Sequence, residues 1–330
     1  MDINNDFENN SNKEDIKISK EGLESTHKTI INKEEVLSFL EKELTQSISD
    51  LEFISGGESS QAFSFEIKNE KYIIRVNNYS GNGFKKDQYA FLNFKSADLL
   101  IPEIFKIGQM DNGNYFAISE KVEGVTINKL PETEIDKINP NLIKILDKIH
   151  SIDISNKTGY GKWEAGIGNA NNHSWKEAIL EVDKYVKNQD NKPTLFETSF
   201  LEKDVWDKLY ASLLNLIKYC PEERYLIHAD FGSDNILCKD DKITGVIDWE
   251  SSMYGDFMYD LAWLSFWSKG CDYEKLFREH YKSIDKNILN FEERILCYKL
   301  FIGLGSLSFY AYSGQKKKYE SSKEKLLKLV

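Results

Sequence analysis

Apolar residues along this chain recur with two different spacings, and the switches between them outline the fold. In "KEEVLSFLEKEL" (33–44), Val36, Phe39, Leu40 and Leu44 stand at helical spacing. The period then drops to two. Phe63, Phe65 and Ile67 alternate, then Tyr72, Ile74 and Val76, with "KNEK" between. That pattern predicts a β-hairpin, preceded by a Gly/Ser-rich turn. "GFKKDQYAFLNFKSADL" returns to a helical pattern through Phe84, Tyr89, Phe91, Leu92 and Phe94. "IPEIFKIGQMDNGNYFAISEKVEG" predicts two more strands around a turn at 111–113. After Gly124 the helical spacing dominates. Helices are expected over 132–150, 174–187, 201–219, 260–268, 274–283 and 291–312, with a β-hairpin at 236–248 among them. Pro140 is expected to start a second part of the 132–150 helix. A last polar helix in "QKKKYESSKEKLLKL" offers Leu326, Leu327 and Leu329 as its apolar contacts. Residues 1–28 show no apolar period and are expected to be a disordered extension. The class is therefore α+β in two lobes. Residues 29–123 form a small, mostly antiparallel lobe with one inserted helix, and residues 124–330 a larger, mostly helical one.

Charge narrows the partners. The 330 residues carry 43 Lys and Arg against 54 Asp and Glu, a formal net charge of -11. No basic stripe is available to neutralise phosphates, which argues against nucleic acid. A negative field would concentrate a cationic ligand, although solubility alone also favours an acidic surface. Cys220, Cys238, Cys271 and Cys297 are scattered without a Cys-x-x-Cys pair, so neither a disulfide framework nor a zinc site is expected. The polar N-terminus lacks the apolar core of a signal peptide, and no apolar run is expected to approach the length of a membrane span. We expect a cytoplasmic monomer that does not engage membranes.

The candidate chemistry lies in "HADFGSDNILCKDDKITGVIDWE" (228–250). Asp230, Asn235 and Asp248 bring two carboxylates and an amide to strand ends. Such hard oxygen ligands suit Mg²⁺ and phosphate chemistry. A plain turn would explain Asp230 and Asn235, but not Asp248 after the hairpin. No G-x-x-x-x-G-K-[ST] is present, which excludes a P-loop NTPase.

The order of parts resembles the aminoglycoside phosphotransferase family, hygromycin B phosphotransferases in particular. The resemblance rests on "GGESSQAFSF", "YIIRVN", "GFKKDQY", "LIPEIFKIG", "EGVTINKLPETE", "HADFGSDNIL" and "VIDWE", and runs from about Lys33 to Gly314. It implies a protein-kinase-like fold and transfer of the γ-phosphoryl group of ATP or GTP to an aminoglycoside hydroxyl, giving antibiotic resistance. Asp230 would orient the substrate hydroxyl and accept its proton. Asn235 and Asp248 would hold Mg²⁺. Ser55, Gly56, Gly57, Ser59 and Ser60 would cover the phosphates with backbone N–H groups and small hydroxyls. Arg75 stands where such kinases usually carry Lys, and Asp87 where they carry Glu. The longer base and shorter acid would form a compensated ion pair; an ordinary surface pair is the alternative. The carbonyl of Glu120 and the N–H of Val122 would bind adenine in the hinge. His228 would brace its loop.

Between His228 and Asp260 stand eight acids against two lysines, which favours a polyamine sugar as substrate. Asp256 and Asp260 are expected to support the loop by backbone bonds and capping. Glu250 and Trp267 are the expected substrate contacts besides Asp230, although Glu250 could be merely solvated and Trp267 core. Other acceptors (a macrolide, choline, a sugar) and a non-catalytic nucleotide-binding role stay open on the motif alone. The short run from Asp248 to the next helix leaves no room for a protein kinase's activation segment.

Overall fold

The structure, a computed structural model, describes residues 28–187, 193–268 and 271–330. The extension expected over 1–28 lies, apart from Lys28, outside the described residues. Helix α1 (Lys33–Leu44) starts where Asn32 accepts the Glu35 N–H at 2.7 Å and stops where Thr45 turns left-handed. It buries Val36 and Leu40 completely, each worth about 1.5–3 kcal/mol.

Those side chains cover one face of an antiparallel sheet. Its strands are β1 (Ser49–Ile54), β2 (Gln61–Ile67), β3 (Glu70–Asn77), β4 (Ile104–Gln109) and β5 (Tyr115–Glu120), in the order β1-β2-β3-β5-β4. Phe63 opposes Ile74 and Phe65 opposes Tyr72. With Val76, Phe116 and Ile118 they form the core under α1. The hairpin turn is tighter than the expected "KNEK". Only Lys68 and Asn69 turn, both at positive φ, matching the right-handed twist of the strands. Strand β1 was not expected. Only Leu51 of it is buried, and its register slips beside Asp50, so it shows little alternation.

Helix α2 (Asn82–Phe94) lies between β3 and β4. The expected stripe was partly wrong. Leu92 is 70% exposed, while Phe84, Lys86, Asp87, Ala90 and Phe94 are buried. Phe84 packs with Ile104 and Ala117 of the small lobe, whereas Ala90 and Phe94 enter the core of the larger lobe. One helix thus belongs to both cores and ties the lobes together.

The larger lobe opens with β6 (Val125–Thr126) and α3 (Glu132–His150). α3 runs unbroken through Pro140, contrary to the expected restart. Its buried face of Ile138, Leu142, Ile143, Leu146 and Ile149 holds the helix across the missing N–H. Next come β7 (Tyr160–Trp163), β8 (Ala170–Asn172), α4 (Trp175–Leu180), α5 (Leu195–Thr198) and α6 (Lys203–Leu216). Strand β9 (Tyr225–Ile227) leads to the hairpin of β10 (Ile236–Lys239) and β11 (Lys242–Val246). β6 pairs with β10, completing a three-stranded sheet in the order β11-β10-β6. Strand β12 (Met253–Gly255) joins a second small sheet in the order β8-β7-β12-β9. These strands of two to five residues are too short to show a period.

Four helices close the lobe: α7 (Met258–Trp267), α8 (Tyr273–Ser283), α9 (Phe291–Tyr312) and α10 (Lys316–Leu327). α9 is long and apolar enough to cross a membrane, which qualifies the expectation drawn from apolar runs. Here it is a core helix, with Leu300, Leu304 and Leu307 fully buried. α10 docks on it through Leu326, which packs against Gly303, while Tyr319 packs on Phe200 and accepts the Glu202 N–H; both side chains are fully buried. Tyr319 is a contact the leucine pattern did not show.

Candidate active site

The loop between β9 and β10 is anchored from below. Asp260, on α7, has no exposed surface. Its Oδ2 accepts the His228 backbone N–H at 3.0 Å and its Oδ1 the Ala229 N–H at 2.8 Å. His150 Nε2 lies 3.0 Å from the same carboxylate. These bonds hold Ala229 at φ +63, a conformation that disfavours a side chain. The His228 ring is buried and its pKa falls to about 4, chiefly by desolvation, so it is neutral. Nε2 sits 3.1 Å from the Ile247 carbonyl and therefore carries the proton; Nδ1 then accepts the Asp230 N–H at 3.3 Å. His228 braces the loop, as expected.

Asp230, Asn235 and Asp248 converge on the cleft. The Asn235 amide N–H donates to the Asp230 carbonyl at 3.0 Å, which leaves its oxygen free to ligate. The Asn235 carbonyl accepts the Ile247 N–H at 3.0 Å, tying the loop to the residue before Asp248. Asp248 adopts φ +65, which turns its carboxylate out of the strand direction. It is partly buried rather than at a solvent-facing strand end. Asp230 and Asp248 each keep an edge open to the cleft, yet desolvation raises both carboxyls. Asp248 is pushed up to about 7, with the charge of Asp87 the next cause and Arg75 opposing. The charges of Asp248 and Asp234 add to the rise at Asp230. Carboxylates crowded in this way favour a bound cation. With the free Asn235 oxygen they form a hard-oxygen donor set that fits Mg²⁺.

Above them, Arg75 on β3 pairs with Asp87 on α2. Asp87 is not a surface acid. Its other oxygen accepts the Trp249 N–H at 2.7 Å, so one carboxylate joins the small lobe's base to the segment after Asp248. Lys86 makes a second tie. It is 6% exposed and donates to the carbonyls of Glu250 and Ser252 at 2.7 and 2.8 Å. Glu250 is exposed as a residue, but its carboxyl packs 2.5 Å from where a Cβ on Gly83 would stand. That position is on the small-lobe side, beside Arg75.

The turn expected to cover the phosphates needs its glycines: Gly56 and Gly57 sit at φ +120 and +71. The Tyr79 hydroxyl meets the side chains of Ser59 and Ser60. In the hinge, Val122 packs on β11, with Cγ1 3.2 Å from a Cβ position on Gly245. Gly124 sits at φ +118, and a Cβ there would stand 2.4 Å from the Cys238 carbonyl oxygen, so no side chain could fit.

The expected acidic field is smaller than the sequence count. Asp256 is fully buried against Arg294 and Tyr298, at 2.5 Å from each, and caps the Met258 N–H. Asp260 is used by the loop. Asp240 and Asp241 form the β10–β11 turn. Four acids remain at the cleft: Asp230, Asp234, Asp248 and Glu250. Trp267 packs on Phe266 and Trp263, its ring centre 4.7 and 6.1 Å from theirs. Trp263, not Trp267, reaches the loop between β9 and β10, with Nε1 3.5 Å from a Cβ position on Gly232.

Comparison with known proteins identifies the fold and its lineage. Residues 50–284 match the Phosphotransferase enzyme family. The chain belongs to this family. It is 36% identical over 226 residues to hygromycin-B 4-O-kinase from Escherichia coli, a match covering 67% of this chain and 63% of that relative's length. Its fold matches the crystal structure of aminoglycoside phosphotransferase APH(4)-Ia with a TM-score of 0.77 and 31% identity, over 90% of this chain and 98% of that one. A ternary complex of a thermostable mutant of that protein with AMP-PNP and hygromycin B matches with a TM-score of 0.76 and 30% identity, over 89% and 97% of the two chains. A GDP complex of wild-type aminoglycoside 2'-phosphotransferase-IIIa, 17% identical, shares the fold at a TM-score of 0.64.

Within this phosphotransferase frame, sequence reasoning missed Lys86, Tyr79, Trp263 and His150. Lys86 reads from sequence as a solvated lysine, since its acceptors, the Glu250 and Ser252 carbonyls, lie far along the chain. For the others nothing local marks the role, because each acts on a partner that is distant in sequence.

Proposed function

We propose that this protein transfers the γ-phosphoryl group of ATP or GTP to a hydroxyl of an aminoglycoside, with hygromycin B the leading substrate. One observation carries the reading. Asp230, Asn235 and Asp248 face one cleft beneath the Arg75–Asp87 pair and the Gly56–Gly57 turn, in a chain akin to hygromycin-B 4-O-kinase. The partly buried Asp230 carboxylate orients the acceptor hydroxyl and takes its proton as that oxygen bonds the γ-phosphorus and the bond from the γ-phosphorus to the β-phosphate oxygen breaks, releasing the nucleoside diphosphate. Asn235 and Asp248 hold Mg²⁺, which offsets charge on the phosphates when bound. Arg75, positioned by Asp87, directs its fork at the phosphates. The Ser55–Ser60 turn covers them, and the Glu120 carbonyl and Val122 N–H receive the base. Glu250 lies beside Arg75, so it acts nearer the phosphates than the sugar. The open acids, Asp234 among them, attract the polycation.

Phosphorylation of the antibiotic would inactivate it and give resistance. We place the enzyme in the cytoplasm as a monomer. A coupled nucleotide-consumption assay across aminoglycosides, run with ATP and with GTP, tests the reading. Mg²⁺-dependent turnover confined to aminoglycosides supports it. Turnover only with choline, a macrolide or a simple sugar would replace it.

A further inference from the structure

Glu58 stands at the crest of the phosphate turn, and a cation from the other lobe already sits on it. Lys318 of α10 places Nζ 2.5 Å from Glu58 Oε1. The same Nζ is 5.9 Å from the centre of the Tyr310 ring on α9. Tyr310 in turn feels both ends of the cleft. Burial, then the charges of Glu58 and Asp234, push its hydroxyl up to about 12. Asp234 Oδ1 lies 2.7 Å from a Cβ position on Gly232, beside Trp263 Nε1. Tyr310, which Lys318 covers, thus lies within electrostatic reach of Glu58 on the 55–60 turn and of Asp234 on the 228–235 loop, and these side chains make up one wall of the cleft in the proposal below. The turn that carries Glu58 is itself held from behind. Lys28 Nζ donates to the Gly56 carbonyl at 2.9 Å, and the Thr29 N–H donates to the Ser59 carbonyl at 3.0 Å.

We propose that Glu58 binds an ammonium group of the aminoglycoside during turnover, and that Lys318 is the tethered cation it exchanges, a competitor for substrate built into the chain. This rests on the aminoglycoside reading above. The exchange is physically easy. The Lys318 and Glu58 side chains are 33% and 47% exposed, and pairs so open to water hold their partners weakly. Exchange of one ammonium for another never leaves the carboxylate unpaired. A polycation also brings several ammonium groups to the wall at once, where Lys318 brings one, so it wins by multivalency. The rival role for this contact is a clasp that only pulls the phosphate turn onto the larger lobe. The two roles predict opposite patterns. A clasp weakens alike whichever partner is removed, whereas a competitor and its binding site shift substrate affinity in opposite directions.

The test is steady-state kinetics of Glu58→Gln, Lys318→Met and the double variant, at saturating nucleotide, with whichever aminoglycoside the wild type phosphorylates. Glu58→Gln should raise the aminoglycoside KM on the order of two- to fivefold, the strength of an exposed pair. Lys318→Met should lower that KM by a similar factor, with kcat and the nucleotide KM within about twofold of wild type. The double variant should follow Glu58→Gln, because without the carboxylate there is nothing to compete for. A KM shift of the same sign in both single variants, or no shift in either, overturns the exchange while leaving the kinase reading intact. A wild type that phosphorylates no aminoglycoside removes both.

Discussion

Asp260→Asn isolates the anchor beneath the loop that carries Asp230. The carboxylate makes two bonds to backbone N–H groups, of His228 and Ala229, and a third contact to His150 Nε2. An amide offers only one oxygen, so its NH₂ must face at least one of those donors. One charge-assisted bond is lost, about 1.5–3 kcal/mol, and a buried N–H is left unpaired at about 1–3 kcal/mol. These costs overlap, and about 2–4 kcal/mol of stability should disappear. The same bonds hold Ala229 at φ +63, which is itself unfavourable by about 1–2 kcal/mol. With them weakened, the backbone should relax toward ordinary φ and carry Asp230 off its line. A displacement of about 1 Å costs on the order of 10² in rate. We therefore expect kcat to fall ~10–10²-fold with the nucleotide KM little changed, since Arg75 and the phosphate turn are untouched. Asp256→Asn is the control. It is equally buried and should be similarly destabilising through Arg294 and Tyr298, but it does not touch the loop. Denaturant unfolding and kinetics at a temperature where both variants are folded decide the matter. Equal kcat losses in the two variants, or an Asp260→Asn protein as stable as wild type, would refute the reasoning.

Three further outcomes follow from the site. Asp230→Asn keeps shape and an acceptor but loses the proposed base; kcat should fall at least ~10² while calorimetric binding of nucleotide and Mg²⁺ stays near wild type. Asp248→Asn should abolish Mg²⁺-dependent turnover without lowering the melting midpoint, because Asn tolerates φ +65 and relieves crowded acids; retained turnover would dismiss Asp248 as a ligand. Arg75→Lys should lose more activity than its charge conservation suggests, and adding Asp87→Glu should restore only part of it. The limit is that Asp87 also accepts the Trp249 N–H, a bond a longer acid would displace; a double-mutant cycle on kcat/KM with no coupling would reject the pair.

Much of the frame was legible in sequence because it is local. Alternating Phe63, Phe65, Ile74 and Val76 announce a hairpin with one buried face, and the structure buries those four under α1. The helix boundaries of 33–44, 132–150 and 291–312 were read to the residue, since long amphipathic or apolar runs state their own period. The loop "HADFGSDN" and the Asp248 that follows its hairpin were likewise visible, because their spacing is short.

What tertiary structure decided is the fate of groups whose partners lie far away in sequence. Composition counts eight acids near the loop but cannot say that Asp256 is spent on Arg294 and Asp260 on the loop backbone. Helical spacing presents Trp263 and Trp267 alike, one turn apart; only the packing of α7 brings Trp263 to Gly232. Lys86 reads as a solvated lysine until α2 is laid on the segment after Asp248. Glu58 and Lys318, 260 residues apart, meet only because the two lobes close on one another. Periodicity is a property of neighbours along the chain, so sequence determines the elements and the short motifs. Electrostatic partnership is a property of neighbours in space, and here the packing of the two lobes sets it.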